Sequence, residues 1–268
     1  MSLRWRRHGR ALRFTSVTTI DLNADLGEGF GVWRLGDDDA LLSIITSANV
    51  ACGFHAGDPS TMRRVCESAA ANGVAVGAQV GYRDLAGVGR RRIEYDLHEL
   101  RDDVLYQVAA LDGFCRAAGT RVRYVKPHGA LYNTAAVDAT QAKAVVAAVH
   151  DYDAGLPVLC QPGSVLATVA TGAGLTVVGE GFADRGYMPD GTLVPRSSSA
   201  AIVRDAEAVT ARARRMAVEG TVVAVDGSVV PCPVGSICVH GDTPGAVDLA
   251  RRVRAALSAA DRDVTSFA

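Results

Sequence analysis

Three of the six histidines directly follow short apolar runs, and each has a glycine one or two positions later. They are His55 in the segment ACGFHAGD, His128 in YVKPHGA and His240 in ICVHGD. Glycine lets the backbone turn tightly or approach a ligand closely. Imidazole is the commonest general acid or base at neutral pH, so three histidines in equivalent positions indicate a catalytic cluster rather than ordinary loop residues.

The first apolar run carries polar side chains at regular spacing. Asp21, Asn23 and Asp25 alternate with apolar residues, and a strand would place all three on one face. Buried acids are costly unless they are paired, bound to a metal or used in a reaction. The alternative is an Asx-rich turn in which Asp25 caps the segment that follows. The pattern favours a functional site, because it is more polar than a core strand tolerates.

Lys126 stands out because the chain uses lysine so rarely. Among 28 basic residues only Lys126 and Lys143 are lysine, and all the others are arginine. A lysine two residues before His128 indicates a need for a compact ammonium, which can shift its pKa when buried and stabilise a developing oxyanion. The alternative is a solvated loop lysine.

Two arginine-containing segments are candidates for binding an anion. Residues 179–199 have the composition of a long ordered loop, a feature that is usually functional. Within it, Asp184 and Arg185 could clamp an amide or a carboxylate, or could simply pair with each other. The run of arginines at 90–92 follows Gly87-Val88-Gly89 and could hold an anion or form a solvated surface.

Strand-like and helix-like segments alternate along the chain, which predicts a parallel sheet. About seven such units occur, no G-x-G-x-x-G follows any strand, and polar residues follow many strands. These features favour a closed (β/α) barrel over a Rossmann sheet, and they predict that the candidate catalytic residues meet at one mouth. The predicted strands are Val17–Leu22, Ala48–Cys52, Ala75–Gln79, Val122–Val125, Pro157–Cys160, Leu175–Val178 and Ser236–Val239.

Local signals place several element boundaries. Asp58 and Asp138 are predicted N-caps of helices, and residues 222–230 have the pattern of a β-hairpin that turns at Asp226-Gly227. Residues 1–16 contain five arginines and no acid, and we expect them to form a disordered basic extension. Residues 17–268 then form a single barrel domain.

The composition excludes some classes of protein. A formal net charge of −1 gives no field that would attract nucleic acid or a membrane surface, and no apolar run approaches the length of a membrane span. The six cysteines form no C-x-x-C pair and lie among apolar neighbours, as expected for reduced core thiols in the cytoplasm. No phosphate-binding G-x-x-x-x-G-K-[ST] motif is present.

Five long blocks of this sequence closely resemble the LamB/YcsF family, whose members are assigned as the A subunit of 5-oxoprolinase. The blocks run from Ile20 to about Asp242, which is nearly the whole chain. They are residues 21–28, 47–58, 126–133, 182–187 together with 190–197, and 238–242. The resemblance implies a TIM-like (β/α)7 barrel related to polysaccharide deacetylases.

The resemblance also implies a reaction and partners. 5-Oxo-L-proline, ATP and water would give L-glutamate, ADP and phosphate, and the activity would require two further subunits similar to the halves of allophanate hydrolases. ATP would therefore act through the complex. A γ-lactam is a poor electrophile, so we expect phosphorylation of the amide oxygen to precede attack by water.

Each candidate residue receives an expected role in that reaction. Asp25 or His55 would be the base, Lys126 and His128 would stabilise the oxyanion, and His240 with Asp242 would donate a proton. The residues expected to bind the substrate are Asn23, Glu28, Gln79, Asp184, Arg185 and Asp242. Relatives usually have GAHPG where residues 77–81 read GAQVG, so Gln79 replaces a histidine and cannot titrate.

Two other functions stay open. One is a metal-dependent deacetylase or amide hydrolase that acts alone, with Asp25, His55 and His128 as the ligands if a divalent metal is bound at all. The other is a substrate-binding protein whose partners perform the chemistry.

Overall fold

A computed structural model describes residues 18–241 and 245–268 of the chain. The predicted basic extension at residues 1–16 lies outside the described residues, and so does Asp242. The strands are β1 (Thr18–Leu26), β2 (Ser47–Ala51), β3 (Ala75–Val80), β4 (Val122–Pro127), β5 (Val158–Cys160), β6 (Val177–Phe182), β7 (Thr221–Val223), β8 (Val229–Pro231), β9 (Ser236–Val239) and β10 (Arg262–Val264).

Helices follow most of the barrel strands in the chain. They are α1 (Asp38–Leu42), α2 (Pro59–Ala71), α3 (Leu97–Ala117), α4 (Gly129–Ala135), α5 (Ala139–Asp153), α6 (Val165–Gly172), α7 (Ala206–Glu219) and α8 (Ala246–Ser258). In the part of the chain that the structure describes, none of these helices combines the length and the apolar character needed to cross a membrane.

Seven parallel strands close into a barrel. Their order is β1, β2, β3, β4, β5, β6 and β9, and β9 pairs back onto β1. Asp21 lies opposite Ser236 and Asn23 lies opposite Cys238 in that closing pair. The short β10 adds to the first residues of β1 outside the ring. The predicted TIM-like (β/α)7 barrel is therefore confirmed.

Four strands, β1, β3, β4 and β6, extend beyond their predicted ends, and the two longest extensions, those of β1 and β6, carry functional side chains. β1 continues to Leu26, so Asp25 lies on a strand rather than in a turn. β6 continues to Phe182, so the prediction of irregular structure from Gly179 onward was wrong for its first four residues. Gly179 and Gly181 weakened the strand signal there, yet an added Cβ at either would lie within 3.0 Å of neighbouring atoms.

The predicted local signals are confirmed. The Asp58 side chain accepts hydrogen bonds from the backbone N–H groups at the start of α2, and Asp138 does the same for α5. β7 and β8 form the antiparallel hairpin with Asp226-Gly227 in its turn, where the Asp226 carboxylate accepts from the Ser228 backbone N–H at 2.9 Å. These elements pack on the outside of the barrel and leave its interior to the strands.

The interior of the barrel is filled by polar as well as aromatic side chains. The Tyr124 hydroxyl donates to Asn49 Oδ1 at 2.6 Å, and the Phe267 ring packs on the Tyr124 ring with centroids 4.9 Å apart. Space for the Tyr124 ring exists only because residue 77 of the neighbouring strand is glycine. A Cβ at Gly77 would lie 2.1 Å from the ring.

We expect Gly77→Ala to destabilise the fold by about 1–3 kcal/mol, because the new methyl group overlaps the buried Tyr124 ring. The matched control is Gly113→Ala in α3, where an added Cβ meets no atom within 4 Å. Replacing a helical glycine by alanine should stabilise by about 0.5–1 kcal/mol. Urea unfolding measures both free energies. Equal stability of the two variants would contradict this account of the barrel interior.

Candidate active site

The five predicted catalytic residues all lie at the carboxyl end of the barrel. They are Asp25 in β1, His55 after β2, Lys126 in β4, His128 after β4 and His240 after β9. Four of the five line one cavity, and His55 lies behind His128, with the two imidazole rings stacked at a centroid distance of 4.1 Å. The structure thus brings together residues that are up to 215 positions apart in the sequence, counting from 25 to 240.

Lys126 lies at the centre of this cluster and is almost fully buried, with 2% of its surface exposed. Its Nζ is 2.9 Å from Asp25 Oδ1 and 2.7 Å from Glu180 Oε1. Nζ also contacts Cys238 Sγ at 3.5 Å and lies 5.4 Å from the centre of the Phe182 ring. The ammonium therefore has two carboxylate partners in a site that water barely reaches.

The charged side chains in this cluster shift each other's pKa values. Burial alone would disfavour the ammonium, but the nearby negative groups, Asp25 foremost, raise the pKa of Lys126 well above its usual value. Burial likewise opposes ionisation of Asp25, and the Lys126 ammonium outweighs it, so the pKa of Asp25 is held well below its usual value. Burial dominates at Glu180 and raises its pKa. Lys126 is therefore a permanent cation and not a base.

A column of hydrogen-bonded polar groups supports Asp25 from inside the barrel. Asn49 Nδ2 donates to Asp25 Oδ1 at 2.8 Å and to Asn23 Oδ1 at 2.7 Å. Asn23 Nδ2 donates to the Ser236 hydroxyl at 2.6 Å, and that hydroxyl donates to Asp21. Asn23 was expected to bind the substrate, but it is fully buried below the cavity and instead positions Asp25 through Asn49.

Asp21 lies deepest in this column. Burial raises its pKa to about 6 although three hydroxyl groups donate hydrogen bonds to it. The period-two pattern predicted in the first strand therefore places Asp21 and Asp25 on the same inner face, but in different surroundings. Only Asp25 reaches the cavity.

The two stacked histidines have defined hydrogen bonds. His55 Nε2 donates to Gln79 Oε1 at 3.3 Å, and His128 Nε2 donates to the Val88 carbonyl at 3.0 Å. Val88 adopts a left-handed conformation with φ of 52°, which is costly for a β-branched residue. Such strain is typical of functional sites, and here it directs the carbonyl at the imidazole. Burial, followed by the proximity of His128, holds the pKa of His55 well below its usual value.

The hydrogen bond to Val88 leaves Nδ1 of His128 facing two carboxylates. Nδ1 is 3.6 Å from Glu28 Oε1 and 3.8 Å from Asp25 Oδ2. Glu28 and Gln79 were both expected to bind the substrate. The structure places both of them beside the histidine pair, and neither lines the cavity itself.

Glu28, His55 and His128 could hold a divalent cation, since one ligand atom from each lies within 4.8 Å of the others. A backbone carbonyl that holds the far nitrogen of a ligating histidine is typical of metal sites, and Val88 plays that part for His128. This set differs from the predicted one, because Glu28 takes the place of Asp25. Asp25 is committed to Lys126 instead.

His240 is paired with Asp184, and its predicted partner Asp242 lies outside the described residues. His240 Nδ1 donates to Asp184 Oδ2 at 2.7 Å, and His240 Nε2 accepts from Arg196 Nη2 at 3.2 Å. Burial would lower the pKa of His240, but the Asp184 carboxylate more than offsets it and raises that pKa. Burial would raise the pKa of Asp184, but the positive charge and the hydrogen bonds of His240 together offset this effect and lower that pKa. The pair is suited to delivering a proton.

Arg185 does not pair with Asp184, and its guanidinium braces the loop that follows β6. Its Nε donates to the Ala201 carbonyl at 2.9 Å, and its Nη2 donates to the Val194 carbonyl at 2.8 Å. The side chain is buried, yet it still borders the cavity. Burial and the positive charges of Arg196 and Arg90 lower the pKa of Arg185 to about 10.

The cavity over Lys126 is narrow, with a volume of about 40 Å³. A neighbouring, wider chamber of about 610 Å³ shares Arg90, Arg185 and Arg196 as walls with it. A separate cleft of about 690 Å³ lies between the segment 29–39 and α2, but no member of the catalytic cluster lines it.

Sequence reasoning missed Glu180, Asn49 and Arg196. Glu180 lies between two glycines, a composition that indicated a loop. Asn49 was detectable as the one amide inside an otherwise small and apolar strand, the same signal that identified Asn23. No signal marked Arg196, because its contact with His240 depends on how the loop after β6 folds back.

The arrangement suits hydrolysis of an amide-like bond. A permanent ammonium can stabilise an oxyanion, an ionised carboxylate can accept a proton from water, and a histidine with a raised pKa can protonate a leaving nitrogen. Since all three groups border one small cavity, they can act on one reacting carbon.

Known proteins with similar sequences match nearly the whole chain. One relative, described as the A subunit of 5-oxoprolinase from Nocardia farcinica, is 58% identical over 248 residues, covering 92% of this chain and 99% of the relative. Another protein with the same description, from Streptomyces coelicolor, is 60% identical over 249 residues, covering 93% and 100%.

Solved structures agree with the fold. A lactam utilization protein from Thermus thermophilus superimposes with a TM-score of 0.89 at 43% identity, covering 93% of this chain and 100% of that one. A putative cellobiose-phosphate cleavage protein from Enterococcus faecalis has a TM-score of 0.54 at 12% identity, covering 94% and 97%, which shows a shared barrel alone. The sequence of residues 20–268 matches the LamB/YcsF family, and this chain belongs to that family.

Proposed function

We propose that this chain is the A subunit of an ATP-dependent 5-oxoprolinase and that it opens the lactam ring of 5-oxoproline. The relatives described as such subunits are 58% and 60% identical over nearly the full length of this chain. The single observation that carries the proposal for chemistry is the buried Lys126 ammonium, held between Asp25 and Glu180 beside a small cavity. Such an electrophilic centre matches the oxyanion of an attacked lactam carbon.

ATP makes the lactam carbon reactive. Transfer of the γ-phosphoryl group to the lactam oxygen releases ADP and gives an O-phosphorylated lactam. A first water adds to the ring carbon, the C–N bond breaks, and the nitrogen takes a proton, which leaves γ-glutamyl phosphate. A second water then displaces phosphate and gives glutamate.

The geometry supports roles in the ring-opening step. Asp25 borders the cavity as an ionised carboxylate and takes the proton from water, whereas His55 lies behind His128 and supports it. Lys126 stabilises the developing negative charge. His240, with its raised pKa, protonates the departing nitrogen, and Asp184 replaces Asp242 as the carboxylate that we assign to this histidine.

In this proposal, ATP is bound by the partner subunits with which this chain forms a complex. The sequence carries no standard phosphate-binding loop, so we assign nucleotide binding to two other subunits, with a divalent cation accompanying ATP. The relatives are described as one lettered subunit of 5-oxoprolinase, which fits such an assembly. We place the assembly in the cytoplasm, where reduced cysteines persist, and all six cysteines here are buried and free.

The test of the proposal is glutamate release from 5-oxoproline with ATP, measured for the isolated chain and for the mixture with its two partner subunits. We expect turnover only in the mixture, and none with the isolated chain. Normal turnover without this chain would contradict the proposal. Turnover that requires this chain but survives the loss of its catalytic side chains would make it a substrate-binding protein instead.

One observation favours a second function, a metal-dependent amide hydrolase or deacetylase. Glu28, His55 and His128 form a buried set of three possible metal ligands at the mouth of the barrel. A metal bound there would activate water and polarise a carbonyl without ATP.

We expect the purified chain to carry no stoichiometric transition metal, because Asp25 is held by Lys126 and residue 79 is a neutral glutamine. Elemental analysis of the wild-type chain and of Glu28→Gln measures the metal content. Stoichiometric zinc or manganese that disappears in Glu28→Gln, together with ATP-independent hydrolysis of an N-acetyl substrate, would establish the second function instead.

Lys126→Arg should reduce turnover by about 100-fold or more although the charge is kept. The guanidinium is larger and planar, so it cannot occupy a pocket fitted to an ammonium between Asp25 and Glu180. Lys143→Arg on the exposed face of α5 is the matched control and should be silent. Turnover is measured in the reconstituted mixture, with thermal unfolding as the check on folding. Near-normal turnover of Lys126→Arg would show that Lys126 does not act as the electrophilic group.

The pH dependence tests the proton donor. His240 works in its protonated form, so turnover falls as pH rises through its pKa, which Asp184 raises. Asp184→Asn removes that carboxylate and lowers the pKa of His240, so the alkaline limb of the turnover profile should move to lower pH. Asp226→Asn in the exposed hairpin turn is the control. An unchanged alkaline limb in Asp184→Asn would exclude His240 as the acid.

A further inference from the structure

Three arginines converge on the wide chamber beside the catalytic cavity. We call it the arginine chamber and define it by Arg90, Arg185 and Arg196, with Asn133, Gln161 and Thr192 completing its polar wall. Its volume is about 610 Å³. The same three arginines also border the cavity over Lys126, so the two spaces are adjacent.

Backbone contacts and hydrogen bonds fix the positions of the three arginines at the chamber. Arg90 follows Gly89, whose carbonyl accepts from the Ala130 N–H at 2.8 Å, and a Cβ at Gly89 would lie 2.8 Å from His55. The backbone before Arg90 is thus pressed against the stacked histidines. Arg185 clamps its own loop through two backbone carbonyls, and Arg196 comes from that clamped loop.

Arginine is the most frequent charged residue among the described residues that line the chamber. Asp190 is the only acid among the described residues that line it, and its Oδ1 already accepts from the Thr192 N–H at 2.9 Å and from the Thr192 hydroxyl at 2.7 Å. Burial lowers the pKa of the Arg185 guanidinium, and the positive charges of Arg196 and Arg90 lower it further, as expected for cations that lie close together. A group of like charges at a concave surface attracts an anion.

We propose that the arginine chamber binds the phosphoryl group of an O-phosphorylated lactam that another subunit has made. This inference rests on the proposed function. A phosphoryl group carries up to two negative charges and three acceptor oxygens, which suit several guanidinium forks, whereas a single guanidinium satisfies the carboxylate of 5-oxoproline. With the phosphoryl group in the chamber, the ring carbon lies over Lys126 and Asp25.

The chemistry requires the phosphoryl group to stay bound during ring opening. Water bonds to the ring carbon, the C–N bond electrons pass to nitrogen, and nitrogen takes the proton of His240. The C–O–P linkage stays intact through this step and gives an acyl phosphate. A second water then releases phosphate, so the chamber first holds a substrate group and then a leaving group.

Arg196 links the chamber to the proton donor. Arg196 Nη2 donates to His240 Nε2 at 3.2 Å, a contact that requires an unprotonated Nε2. An oxyanion that engages Arg196 releases this nitrogen, which can then take a proton while Nδ1 stays on Asp184. Binding of the phosphorylated lactam therefore allows His240 to take up the proton that it later donates as an acid.

Sulfate is the probe for this site, because it is a tetrahedral dianion that does not titrate near neutral pH. Calorimetric titration of the purified chain at low ionic strength should show one saturable site. The double variant Arg90→Gln with Arg196→Gln should weaken sulfate binding by about 10-fold or more. Both side chains are exposed, so the variant should fold, and Arg252→Gln on α8, also exposed, should bind sulfate normally. Saturating 5-oxoproline should leave sulfate binding in place.

Three results would overturn the inference. If the wild type does not bind sulfate, or if the double variant binds it as tightly as the wild type, the chamber is not an oxyanion site. Displacement of sulfate by 5-oxoproline would make the chamber the carboxylate site instead. Sulfate binding with no glutamate release in the reconstituted mixture would contradict the proposed function, whereas arginine-independent sulfate binding with normal release would contradict the chamber alone.

Discussion

A buried ammonium between two carboxylates is the constraint on which the rest of the site depends. Moving a charged amine out of water costs several kcal/mol, and only well-placed opposite charges offset that cost. Lys126 has 2% of its surface exposed and meets Asp25 and Glu180 at 2.9 and 2.7 Å. Because one positive charge is shared between two acids, the ionised form of Asp25 is stabilised while burial raises the pKa of Glu180.

Barrel closure supplies the geometry that this ion cluster needs. Asp25, Lys126 and Glu180 come from β1, β4 and β6, which are not neighbours in the sheet, so only a ring can bring their side chains to one axis. Below them, Asn49 ties Asp25 to Asn23, and Ser236 on the closing strand completes the column. The charged group at the mouth is thus held by hydrogen bonds that run through the barrel interior.

Much of this could be predicted from the sequence because it depends on local periodicity. Strand–helix alternation indicated the barrel, and alternation in the first strand placed Asp21 and Asp25 on its inner face. The partners of each group could not be predicted, because they depend on contacts across the ring. The structure pairs His240 with Asp184, 56 positions away, a partner that the sequence did not indicate, and the assignment of Asp242 to this histidine stays a prediction. Glu180 was hidden by its flanking glycines, whose lack of side chains weakens any strand pattern.

The same ion cluster bears on the choice between ATP coupling and metal chemistry. Asp25 Oδ2 lies 3.8 Å from His128 Nδ1, so the carboxylate that is bound to the lysine also lies beside the possible metal ligands. A divalent cation beside His128 would compete with the Lys126 ammonium for Asp25 and would be repelled by it at short range. The fixed ammonium provides the electrostatic stabilisation that a metal would otherwise give, but it cannot activate water as a metal does. A site built around lysine therefore needs a carbon that is already reactive, and in the reaction that we propose, phosphorylation of the lactam would supply one.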